Sequence, residues 1–240
     1  MLYSQRVIAH RGASGYAPEN TMASFEKALA MGATCVEFDV MLSEDGQPFV
    51  IHDTSLRRTT NGKGDVGLSS AAYISSLDAG TWFSEEYSGE TVPRFQDLLL
   101  WLAQHPTMQA NIEIKPYPGQ LEQTTDIILS AIKQYWPSTK ALPLVSSFEY
   151  EALERCISVA PAIPRGFLMH YWDKDWLAKA TAIQAYSIHC NHRLLSMARV
   201  SAMHEAGHMV LAYTVNKKSI GEKLFAMGVD AVFTNYPDYF

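Results

Sequence analysis

Apolar and polar positions alternate along this chain in two rhythms. Short apolar runs of strand length (RVIAH, TCVEFDV, NIEIK, LPLVSS, IPRGFLM, AYSIHC, HMVLAYT and VDAVFT) are separated by segments such as TMASFEKALAMG, FQDLLLWLAQH and QTTDIILSAIKQYW. In the latter, apolar residues recur every three or four positions, the helical period, whereas a strand repeats every two. Eight strand candidates, each beside a helix candidate, predict a (β/α)8 TIM barrel, with a doubly wound open sheet as the second choice. Gly32, Gly207 and Gly228 fall just past helical patterns and just before strands, where a left-handed cap is wanted. Asn20-Thr21 offers an N-cap for the first helix.

One stretch breaks the rhythm. Residues 53–92 are polar, rich in glycine and too long for a simple loop between strand and helix. They predict a small lobe inserted after the second strand, over the mouth of the barrel. Trp82, Phe83 and Tyr87 in that lobe fit its own small core better than closure over a ligand. No other linker or repeat interrupts the chain, so residues 1–240 read as a single barrel domain.

Composition narrows the function. At 240 residues, 48% hydrophobic and 18% charged, the chain can bury a large core and carries no sign of long disordered tails. A formal charge of −6 argues against a nucleic-acid or anionic-membrane binder. Cys35, Cys156 and Cys190 are odd in number and lack a CxxC pair, which predicts buried reduced thiols rather than disulfides. MLYSQRVIAHRG lacks the apolar core of a secretory leader, and no apolar stretch reaches the length of a membrane span. A cytoplasmic location without stable membrane association is expected; a homo-oligomer stays open.

The chemistry lies in strand alternation. In Val36-Glu37-Phe38-Asp39-Val40, the two acids share one face and the apolar residues the other. Both faces of a barrel strand are covered, and buried paired acids repel one another, so they call for a cation. Asn111-Ile112-Glu113-Ile114-Lys115 adds a third acid and a lysine one unit later. Three carboxylates without a thiolate favour Mg²⁺ or Ca²⁺ over zinc; the competing reading is a salt bridge between Lys115 and one acid. His10 ends the first strand, and His52 ends the run PFVIH, both at the rim where barrel active sites form. Two imidazoles, an acidic metal site, Arg11 and Lys115 together suit a phosphoester: the cations meet charge on phosphoryl oxygens while one imidazole takes a proton and the other gives one. Gly12 then permits the chain to turn away from that rim.

HRGASGYAPENT, VEFDVMLSEDGQPFVIHD, LRRTTNG, NIEIK, SSF (Ser146 to Phe148) and YTVN (Tyr213 to Asn216), in this order over nearly the whole chain, resemble the small cytosolic bacterial glycerophosphodiester phosphodiesterases. The resemblance implies a TIM barrel with a family-specific insertion and a divalent metal, Mg²⁺ or Ca²⁺. It also implies hydrolysis of small glycerophosphodiesters to sn-glycerol 3-phosphate and an alcohol. Glu37, Asp39 and Glu113 fall on the metal ligands, His10 and His52 on the general base and general acid, and Arg11 and Lys115 on phosphate contacts. Tyr213 stands where many relatives have Trp, and Asn235 where many have Asp; neither is expected to touch the metal site. Glu19 and Asn20 are expected to shape the first loop and cap its helix. Three other readings stay open: an enolase-type proton abstractor, a barrel that binds ligand without turnover, and a phospholipase acting at a membrane.

Overall fold

The computed structural model describes residues 6–240; the MLYSQ segment, on which the expectation of no leader partly rests, lies outside them. Strands β1 (Val7–His10), β2 (Cys35–Leu42), β4 (Gln109–Ile114), β5 (Leu144–Ser147), β6 (Arg165–Met169), β7 (Ser187–Asn191), β8 (Met209–Tyr213) and β9 (Ala231–Thr234) are all parallel. Because β1 pairs with both β9 and β2, the ring closes. The open sheet considered from sequence is thereby excluded. Helices α1 (Met22–Ala30), α3 (Phe95–Gln104), α4 (Leu121–Tyr135), α5 (Tyr150–Val159), α6 (Trp176–Ala182), α7 (Met197–Glu205) and α8 (Lys218–Ala226) connect successive strands. Thr21 caps α1 by accepting the Ser24 amide, and Gly32, Gly207 and Gly228 take the positive φ expected of them after α1, α7 and α8.

Strand alternation sorts the two faces. Outward Val36, Phe38 and Val40 of β2 pack with Phe25, Leu98 and Ile112 under the helices, Phe25 meeting Phe38 edge to face at 5.7 Å. Inward, Ile8, Cys35, Leu144, Leu211, Ala231 and Phe233 form an apolar layer that fills the barrel. Above it lies a polar layer toward the strands' C-terminal ends. There the register sets Glu37 beside His10 and Asn111, and Asp39 beside Glu113. All three cysteines are buried free thiols.

The lobe starts earlier than residue 53. PFVIH contributes a short strand, β3 (Pro48–Val50), that runs antiparallel to the overhanging end of β2, with Val40 opposite Val50 and Leu42 opposite Pro48. From there to Val92 the chain holds a core that includes Phe49, Leu56 and Ile74, the last on the short helix α2 (Ala71–Ser75), and that Met41 of β2 joins. Among the described residues, no helix is long and apolar enough to cross a membrane.

Candidate active site

The β1–α1 turn brings backbone as well as side chains to the site. Arg11 has φ 55° and Gly12 φ 78°, so the chain reverses in left-handed conformations as soon as β1 ends. This reversal aims the Arg11 amide at the carboxylates, where it donates to Glu37 Oε2 at 3.0 Å. A side chain on Gly12 would have its Cβ 2.4 Å from Ser24 Oγ, so only glycine fits there.

Glu37, Asp39 and Glu113 converge, with one carboxylate oxygen of each lying within 4.8 Å of the others, and all three are buried. Arg11 Nε approaches Asp39 at 3.4 Å, and Lys115 Nζ lies 3.2 Å from Glu113 and 3.8 Å from Asp39. Asn20 donates to Asp39 at 2.9 Å. The salt bridge and the acid cluster therefore coexist. Three carboxylates against two cations leave one negative charge uncompensated in a buried space. Burial, then repulsion from Asp39 and Glu113, pushes Glu37 well above the usual carboxylate range. Burial and Asp39 push Glu113 up despite Lys115. For Asp39, burial acts upward, but Arg11, His52 and Lys115 outweigh it and bring its pKa below the ordinary value. An all-oxygen donor set with unrelieved repulsion fits a hard divalent cation.

The histidines flank this cluster with different partners. His10 Nδ1–H donates to Asn235 Oδ1 at 2.8 Å, which turns Nε2 toward Glu37, 3.9 Å away. Burial, with Arg11 beside it, lowers His10 to about 3 and keeps it neutral. His52 instead sets Nδ1 against the Asp53 carboxylate at 2.6 Å. Its pKa is also lowered, by burial first and by Arg11 and Lys115, while Asp39 and Asp53 act the other way. Both rings, with Arg11, Glu37 and Glu113, line a cavity of about 410 Å³ at the barrel mouth. Aromatic and basic side chains line it as well, among them Phe148, His170, Arg193 and Tyr213. Tyr213 is anchored by its hydroxyl to the Met169 carbonyl at 2.9 Å and meets Phe148 edge-on at 5.9 Å.

All seven residues singled out from sequence thus lie around one centre. Others were not anticipated there. Asn20 holds a carboxylate instead of capping α1, and Glu19 pairs with Arg11 at 2.8 Å. Asn235, not expected to touch the metal site, holds His10 beside it. His189 sits fully buried in the cavity floor, its Nε2 paired with Ser187 at 2.8 Å. Trp82, Phe83 and Tyr87 are absent from the cavity wall. They pack edge-on in sequence, and Tyr87 ties the lobe to the Tyr16 carbonyl at 2.9 Å.

The model of the glycerophosphoryl diester phosphodiesterase family matches residues 10–239. The chain belongs to this family. A glycerophosphodiester phosphodiesterase of Caldanaerobacter subterraneus subsp. tengcongensis is 34% identical over 236 residues, covering 97% of this chain and 94% of that protein. One from Bacillus subtilis strain 168 is 34% identical over 251 residues, covering 97% and 84%. Among solved structures, a phosphodiesterase of Oleispira antarctica in complex with the product sn-glycerol-3-phosphate superimposes with a TM-score of 0.94. It is 39% identical, over 98% of this chain and 94% of that one. Family membership counts against the enolase-type alternative.

Proposed function

We propose that the protein hydrolyses glycerophosphodiesters to sn-glycerol 3-phosphate and a free alcohol, with His10 as general base and His52 as general acid at a divalent-cation centre. The observation that carries this reading is the unequal partnering of the two imidazoles beside one buried acid cluster. His10, held by the neutral Asn235, keeps a lone pair on Nε2 and can accept a proton. His52, held by a carboxylate, is the better of the two at carrying one, because Asp53 stabilises the imidazolium.

Glu37, Asp39 and Glu113 would hold the cation, Mg²⁺ or Ca²⁺. When bound, it supplies positive charge that neutralises a phosphoryl oxygen and makes the centre attractive to an anionic diester. Arg11 and Lys115 line up the remaining phosphoryl oxygens and meet the charge that builds there. His10 withdraws the proton from the attacking oxygen, whether that oxygen comes from water or from the neighbouring glycerol hydroxyl. His52 delivers a proton to the leaving alcohol oxygen as the P–O bond breaks. The alcohol leaves with its oxygen protonated; attack by water gives the monoester directly, whereas attack by the glycerol hydroxyl gives a cyclic phosphate that a water then opens.

Phosphorus NMR of glycerophosphocholine incubated with the protein and Mg²⁺ or Ca²⁺ tests this directly. The expected signal is sn-glycerol 3-phosphate. Phosphocholine, or an unchanged diester with either ion, would contradict the reading.

A further inference from the structure

The LRRTTNG segment of the lobe has no part in the reaction as derived so far, yet one of its arginines is tied to two sides of the site. Arg58 Nε meets Asp53 Oδ2 at 2.5 Å and its Nη2 meets Asp53 Oδ1 at 3.0 Å. The same guanidinium reaches Glu19 through Nη1 at 2.8 Å and Nη2 at 2.7 Å. Each carboxylate then passes the contact on. Asp53 Oδ1 receives His52 Nδ1 at 2.6 Å, and Glu19 Oε1 receives Arg11 Nη1 at 2.8 Å. A guanidinium fork can hold two carboxylates bidentately at once, which an ammonium cannot.

We propose that Arg58, through Asp53 and Glu19, is a positioning residue that sets the proton-donating face of His52 and the phosphate-facing fork of Arg11 together. The proposal rests on the reading of His52 as general acid. With Nδ1–H directed at Asp53, the second proton of the imidazolium is on Nε2, and the ring lines the cavity. If Arg58 is lost, the Asp53 carboxylate is free to rotate and the ring loses its orientation. Arg58 is partly exposed, with 44% of its side-chain surface open, and isolated pairs at such exposure contribute little stability. Its effect is therefore expected in catalysis more than in folding.

Leaving-group dependence separates positioning from mere strapping of the lobe. An alkyl alcohol needs a proton as it departs, whereas p-nitrophenol leaves readily without one. We would compare glycerophosphocholine with glycerol 3-(p-nitrophenyl phosphate) for the wild type, His52→Ala, Asp53→Asn, Arg58→Met and, as a control, Arg57→Ala. Thermal unfolding would confirm that each variant is folded. His52→Ala and Asp53→Asn should lose about 10²-fold in kcat on glycerophosphocholine and less than about tenfold on the nitrophenyl ester. Arg58→Met should lose kcat on glycerophosphocholine to a similar degree and, because Arg11 is loosened as well, raise KM for both substrates. Arg57→Ala should match the wild type. Wild-type kinetics in Arg58→Met, or equal losses on both substrates in Asp53→Asn, would overturn the clamp. A His52→Ala variant that loses equally on both would remove the general-acid reading itself, and the clamp with it. Leaving-group dependence in His52→Ala but not in Asp53→Asn would overturn the clamp alone.

Discussion

Arg11 and Gly12 show how much of this site depends on single residues. The left-handed turn puts a backbone amide against Glu37 and the guanidinium beside Asp39, so one turn stabilises two of the three carboxylates. Replacing Gly12 by Ala would combine a disfavoured φ with a clash against Ser24. A loss of at least about 2 kcal/mol is expected, read as a lower urea midpoint at unchanged m. Glu37→Gln should act in the opposite direction on stability. It removes a buried carboxyl whose ionisation burial and its neighbours oppose, so chelator-treated protein should be more stable at pH 7, while cation-induced stabilisation and activity are lost. Calorimetry with and without Mg²⁺ or Ca²⁺ checks both. The acids were legible in the sequence because strand alternation alone places Glu37 with Asp39. The partners of those acids were not: Asn20, Glu19 and Asn235 arrive from loops, and no local period records where a loop side chain will land.

At the level of elements, β2 joins barrel and lobe. Its inner face carries two acids, its outer face packs under the helices, and its end extends beyond the ring to pair with β3. PFVIH has the composition of any half-buried strand, which does not distinguish parallel from antiparallel pairing, and this is why the lobe's true start was not visible. The lobe's interior is organised by Asp78, whose carboxylate accepts the amides of Gly80, Thr81 and Gly89 at 3.0, 2.7 and 2.6 Å. Those bonds, Gly89 first, lower Asp78 to about 2. Since the folded value lies below the unfolded one of about 3.9, its contribution is complete above about pH 4 and fades as pH falls toward 2. Asp78→Ala should therefore speed amide exchange at Gly80, Thr81 and Gly89 at neutral pH, with little change in the barrel strands. Exchange followed by mass spectrometry or NMR would show whether the loss stays within the lobe.

Over the whole molecule, a chain of formal charge −6 must attract an anionic diester. The solution is local: the apolar layer inside the barrel excludes water below the site, and the mouth gathers Arg11, Lys115 and the imidazoles around the acid cluster. Without a cation, the acids and the substrate phosphate repel one another. With a divalent cation, the balance reverses. The eight parallel strands of the ring could be read from the repeating pattern, which still left an open sheet as second choice, whereas the rest of the cavity lining could not, because Phe148, His170, Arg193 and Tyr213 come from four separate units. The most direct measurement is the initial rate of sn-glycerol 3-phosphate release from glycerophosphocholine by chelator-treated protein, titrated with Mg²⁺ and, separately, with Ca²⁺. The expected result is a rate near background without metal that rises and saturates with one of the two ions, and no such rise in Glu37→Gln. Full turnover in the chelated protein, unchanged by either ion, would contradict the proposed metal centre.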